Sequence, residues 1–186
     1  ALTNQGIREL DIPVWNRKIF GRIINILNKA DVGAIVCDFM FQDPGIEPDD
    51  EFLVRAAGES GKIYFPVIFQ PEEYSVISGT GQPDEKSMEL FKKDLWPLHG
   101  KRKGNPPASQ EVILPFYRLY ENTTGTGHIN LIPDPDGKNR RMPLIYKYED
   151  SWMPALILRV IADIYQVEPA HITIEFGRHI RLKDAR

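Results

Sequence analysis

Two short runs constrain the fold more than anything else in this chain. Ala34–Phe41 (AIVCDFMF) and Lys62–Phe69 (KIYFPVIF) are almost continuous in apolar residues. A run of that length without polar alternation reads as a strand covered on both faces. Each follows a helical segment. From Trp15 to Lys29, Ile19, Phe20, Ile23, Ile24 and Leu27 share one face, while Arg17, Lys18, Arg22 and Asn25 lie largely on the other. Asp31-Val32-Gly33 ends that helix. Pro44, Gly45 and Pro48 then break the chain before a helix capped by Asp49 or Asp50 and reaching about Gly58. Helix, strand, helix, strand with short links predicts parallel pairing through a right-handed crossover. Pro66 cannot donate into a ladder, so the second strand is expected to carry a bulge or lie near an edge.

The rest of the chain is less regular. Residues 1–14 read as irregular, and from Gln70 to Pro107 prolines, glycines and charges mark a surface insertion of about 70–110. Within it Lys86–Leu95 reads as a short helix with Met88, Leu90, Phe91 and Leu95 inward. The segment is either a pocket lid or a solvated excursion. Val112–Leu114 leads into Pro115 and a short helix, Phe116–Tyr120. Gly127–Ile132 and Arg141–Tyr148 read as a hairpin turned by Asp136-Gly137. A last helix starts at Ser151-Trp152-Met153-Pro154, with Leu156, Ile157, Val160, Ile161 and Ile164 as its apolar side. Arg159 and Asp163, four apart, are expected to pair on its exposed side. Ile172–Phe176 and His179–Leu182 form a final strand pair around Gly177-Arg178. The predicted fold is α/β, a single domain with a mixed central β-sheet flanked by helices on both faces.

Bulk properties exclude several function classes. A chain of 186 residues with 42% hydrophobic and 26% charged residues builds one ordinary globular domain. A net charge of −3 gives no footprint for nucleic acid. Cys37 is the only cysteine, which rules out an internal disulfide and a thiolate metal site, and its apolar surroundings make it a small hydrophobe. No run approaches the ~18 apolar residues of a membrane span. No signal peptide opens the chain, and both ends read as cut in mid-course, as in a piece of a longer protein.

No phosphate loop, zinc-protease helix, nucleophile elbow or paired-cysteine motif is present, so no catalytic residue and no cofactor is assigned. His99, His128, His171 and His179 lack ligand spacing, and His128 stands out only because it begins a strand beside Asn130. The densest polar cluster is His128, Asn130, Asp134, Asp136, Arg140 and Arg141. It is read either as a solvated turn or as a site where guanidinium forks hold an anion. Asp134-x-Asp136-Gly137 is no calcium loop, because Lys138, Arg140 and Arg141 follow where oxygen ligands should stand. Asp38, inside an apolar run, is either a satisfied core acid or a group at the carboxyl end of a strand, where open α/β sheets place ligand crevices. Asp43 belongs to the same rim.

The order of these pieces resembles the type-two CHASE domain from about Asp11 to Leu182. The likeness rests on GAIVCDFMF with Asp38-Phe39-x-Phe41, then Asp49-Asp50 and its helix. It continues through the block from Gly127 to Leu144, with Gly127-His128-x-Asn130, Arg140-Arg141 and Pro143-Leu144, and ends on Trp152-x-Pro154-x-Leu156. The resemblance implies an extracytoplasmic input domain of a receptor such as a histidine kinase or cyclase, tied to the membrane by flanking helices of the parent chain and without enzymatic activity of its own. Its partner would be a small ligand or another extracytoplasmic cue, with Asp38, His128, Asn130, Asp136, Arg140 and Arg141 as candidate contacts. Two alternatives stay open: a small hydrolase or transferase using Asp38 and His128 as acid and base, and a structural or homodimerising domain without a small ligand.

Overall fold

A computed structural model describes residues 16–70, 83–97, 99–101, 106–175 and 177–183. Helix α1 (Arg17–Lys29) starts on Asn16, whose side chain accepts the Lys18 N–H, and buries Phe20 and Ile24. Strand β1 (Ile35–Val36) follows, then α2 (Glu47–Ser60) and β2 (Ile63–Gln70). Helix α2 begins earlier than expected, with Pro48 in its first turn and no side-chain cap. Glu47, Asp49 and Asp50 favour that end through the helix dipole. Gly61, at φ 61°, closes it in a conformation that costs other residues more.

Strand β2 organises the sheet. It pairs parallel with β1 (Ile35↔Ile63, Val36↔Tyr64) and parallel with β5 (Gly125–His128), from Tyr64↔Gly125 to Val67↔His128. Its last residues pair antiparallel with β4 (Glu111–Ile113). The sheet is therefore mixed, as the sequence predicts. Pro66 sits in its centre without a bulge, for a reason visible in the ladder. The carbonyls of Lys62 and Tyr64 face β1, and those of Ile63 and Val67 face the β5 side. Alternation thus points the Pro66 nitrogen to the β1 edge, beyond the last β1 pair at Tyr64 and before β4 begins at Ile68. No partner there needs a donor.

The first predicted strand is cut short. After the Cys37 N–H bonds the Tyr64 carbonyl, the chain leaves the sheet, and the Phe41 carbonyl accepts from Phe116. Phe41 is buried by aromatic packing instead, 5.1 Å from Phe20 and 6.1 Å from Phe65 between ring centroids. Helices cover both faces. Ile63 and Phe65 lie under α1 and α2 together with Leu119 of the short α4 (Tyr117–Tyr120). Further along, Val67 and Phe69 lie under Phe91 of α3 (Glu85–Asp94) and the tyrosines of β6 (Ile145–Tyr148). On the opposite face Tyr64 meets Leu156 and Val160 of α5 (Leu156–Ile164).

Two expectations fail in the second half. The segments 127–132 and 141–148 do not form a hairpin: β5 pairs with β2, and β6 pairs with β7 (Ser151–Pro154). The last helix accordingly starts at Leu156, after a strand. The third small sheet places β3 (His99–Lys101) parallel to β8 (Ile172–Glu175), which runs antiparallel to β9 (His179–Leu182). The predicted irregular start and residues 71–82 of the predicted insertion lie outside the described residues. Among the described residues no helix is long and apolar enough to cross a membrane.

Candidate functional site

The polar block singled out by sequence divides into parts with different fates. Asp136-Gly137 does make a turn: the Gly137 N–H bonds Asp134, the Asp134 N–H bonds Lys138, and Gly137 takes φ 76°. Arg140 folds back over this turn, 2.7 Å from Asp136 Oδ2 and 3.0 Å from Asp134 Oδ2. That contact lowers the Asp136 pKa and raises that of Arg140. Arg140 and Asp136 are exposed and Asp134 is only partly buried, so these pairs stabilise little. Arg141 extends into solvent with one long contact, 3.4 Å, to Asp134.

His128 and Asn130 point elsewhere. Asn130 accepts the Phe69 N–H at 2.9 Å and donates to the Phe69 carbonyl at 2.6 Å, standing in for a strand residue where β5 has ended. His128 is fully buried, beside the rings of Tyr146 at 5.4 Å and Phe69 at 6.3 Å. Neither of its ring nitrogens has a hydrogen-bond partner, and burial pulls its pKa from 6.5 down to about 4. Asp38 is not a buried strand acid but an exposed residue past the end of β1. The acid–base pair of Asp38 with His128 is therefore not formed, since the imidazole bonds to nothing.

A half-buried ionic centre lies where sequence placed a solvated pair. Arg159 of α5 turns inward, 2.9 Å from Asp163 and 3.1 Å from Asp94 at the end of α3. Asp94 also accepts from Thr126 of β5 at 2.6 Å and from the Tyr120 hydroxyl at 3.1 Å. Burial opposes the Arg159 charge, but Asp94 and Asp163 outweigh it and raise its pKa. The Tyr120 hydroxyl is pushed well up by burial and by Asp94. This network ties α3, α4, α5 and β5 together and presents no free group to a ligand.

Among the described residues, two cavities are large enough for a small molecule. One, of about 360 Å³, opens at the carboxyl side of β1 between Gln42–Pro44, the start of α2 and residues 113–118. Asp43 stands on its rim without Asp38, which was expected beside it, and the other charges are committed to protein partners. Asp50 holds Arg17 at 2.6 Å and the Gly45 N–H, Asp84 caps Ser87, and Glu47 pairs with Arg118. The other, of about 530 Å³, is a groove between Met142–Ile145, Pro106-Pro107 and the β8–β9 hairpin. Its bed is apolar, from Met142, Pro143, Leu144, Ile174 and Ile180, and its rim carries Glu175, Arg178 and His179. Arg178 is exposed and 3.1 Å from Glu175, with His179 at 4.0 Å from the same carboxylate. Size, apolar lining and few polar groups are the usual features of a small-molecule site. None of the six candidate contacts read from sequence lines this groove; Pro143-Leu144 entered only as part of the family likeness, and Arg178 and His179 gave no signal beyond a turn between two strands.

The structure is a mixed α/β domain that carries a groove of ligand size. The CHASE2 domain family matches residues 1–185, and the chain belongs to that family. It is a family of extracytoplasmic sensory domains. No curated protein and no solved structure matches the chain.

Proposed function

We propose that this chain is the input domain of a transmembrane receptor, held outside the cytoplasm, and that it senses a small acidic ligand in the groove between Met142–Ile145 and the β8–β9 hairpin. The parent would carry a histidine kinase, a cyclase or a similar output module beyond the membrane. The observation that carries this reading is the groove itself: about 530 Å³, apolar at its bed and bordered by an exposed arginine. Arg141 directly precedes Met142 of the groove wall, so Arg140, Arg141 and Arg178 are the candidate anion contacts. A ligand carboxylate would replace the carboxylates of Asp134, Asp136 and Glu175 as their partner. Binding biases the receptor only if the ligand prefers one of two conformations, and the groove lies between β6 and the β8–β9 hairpin, whose relative position such a preference would set.

The parent gene tests the receptor half of this reading. Apolar runs of ~20 residues on either side of the domain, with a reporter fused after Arg186 active only outside the cytoplasm, are expected. Flanks without such runs would remove it.

A further inference from the structure

Helix α5 carries its polarity in the reverse of the order a free surface requires. Its exposed residues are Ile157, Ile161 and Ile164, at 50%, 36% and 56% exposure, while Arg159 and Asp163 are turned inward and paired. A helix that is apolar on every side is ordinarily a buried one. The apolar surface does not stop at the helix. Tyr165 follows at 48% exposure, and Val36 of β1 lies at 46%. Ala34 packs against Tyr64, Leu156 and Val160 beneath α5. Val36, two residues on in extended chain, points to the same face, which α5 leaves uncovered there. Parallel strands are ordinarily covered on both faces.

We propose that this face is the two-fold interface of a homodimer in which α5 packs antiparallel against α5 of a second copy. The spacing i, i+4, i+7 makes one continuous ridge. About an axis through Ile161, that ridge sets Ile161 against Ile161 and Ile157 against Ile164, the self-complementarity an isologous contact requires. The ridge bears no charge to repel its own copy, and no cation to hold an anionic lipid surface or an acidic peptide. Five half-exposed side chains on each copy, with their polar rim, remove roughly 1,000 Å² from water, the lower bound for a specific interface. Helix α1 has a ridge of the same spacing, Ile19, Ile23 and Ile26, but exposed Lys18, Arg22 and Lys29 accompany it and keep it solvated.

Sedimentation equilibrium of the 186-residue chain tests the proposal. A reversible dimer at micromolar concentration is expected, reduced to monomer by Ile161→Glu and retained in the α1 variant Ile23→Glu. Cysteine pairing provides a second readout that survives any folding defect of the charged variant. In a Cys37→Ser background under mild oxidation, Ile161→Cys links to itself. Ile157→Cys links to Ile164→Cys when the two are mixed, and not to its own copy. A chain that stays monomeric to about 1 mM overturns the proposal. So does a dimer that survives Ile161→Glu, or an Ile157→Cys self-link. A monomer that floats with phosphatidylglycerol vesicles would assign the face to lipid, and overturns it as well.

Discussion

His128 should make this domain lose stability in mild acid. The unfolded imidazole takes a proton near pH 6.5, whereas burial holds the folded one near 4 with no acceptor or carboxylate to receive the charge. Between those values the unfolded chain binds a proton that the folded chain does not, so stability falls as pH falls. The contribution is complete above pH 6.5 and lost by about pH 4, where the folded state also protonates. A gap of that size corresponds to about 3 kcal/mol at ~1.4 kcal/mol per pH unit. His128→Leu removes the proton site and two unsatisfied buried nitrogens, so at pH 7 the variant should match or exceed the native chain. Urea unfolding followed by tryptophan fluorescence, in steps from pH 7.5 to 4, gives the test. The groups common to both proteins cancel in the difference, which should widen by about 3 kcal/mol toward pH 4. A difference that stays flat with pH would refute the claim that the imidazole is buried and unpaired.

Substitutions at Gly127, Arg159 and Asn130, with Gly33 as a control, probe the packing. A Cβ on Gly127 would stand 2.5 Å from Leu156 Cα and 2.7 Å from its nitrogen, so Gly127→Ala must push α5 off the sheet; thermal unfolding should show a loss near 3 kcal/mol. Gly33→Ala, with nothing within 4 Å, is the neutral control. Arg159→Met leaves half-buried Asp94 and Asp163 without their cation and should cost about 2–3 kcal/mol in urea, between the ~1 kcal/mol of a surface pair and the larger loss of a fully buried one. Asn130→Ala should cost about 1–3 kcal/mol by leaving both Phe69 backbone groups without their side-chain partner, and Asn130→Asp should not restore the loss because it lacks the donor.

What sequence revealed depended on how local the cause was. Helices α1 and α3 and strand β2 follow from periodicity and an apolar run, so their positions came out within a few residues. Strand β5, Gly125-Thr126-Gly127-His128, has almost no strand propensity. It exists because its glycines admit α5 on one face while Thr126 and His128 fill the other, a tertiary reason invisible in four residues. The two turns misled in opposite ways. Asp136-Gly137 carries the hairpin signal but closes an irregular loop, whereas the real β6–β7 hairpin turns at Glu149-Asp150, with Glu149 at φ 50° and no glycine. Arg159 and Asp163 pair as their spacing predicted, yet on the inner side, because periodicity alone cannot say which side of an apolar helix faces the core. The candidate groove was not legible: Pro143-Leu144 marked only a family likeness, and the opposite wall arrives from a later part of the chain by strand pairing.

The most direct measurement is a map of amide shifts in the labelled domain against a panel of small carboxylates and phosphates. The account predicts that a responding ligand moves Met142, Leu144, Ile145 and residues 177–180, and that Arg178→Glu abolishes the response while leaving the fold intact. Shifts confined to the cavity between Gln42–Pro44 and residues 113–118, or a response unchanged by Arg178→Glu, would contradict it.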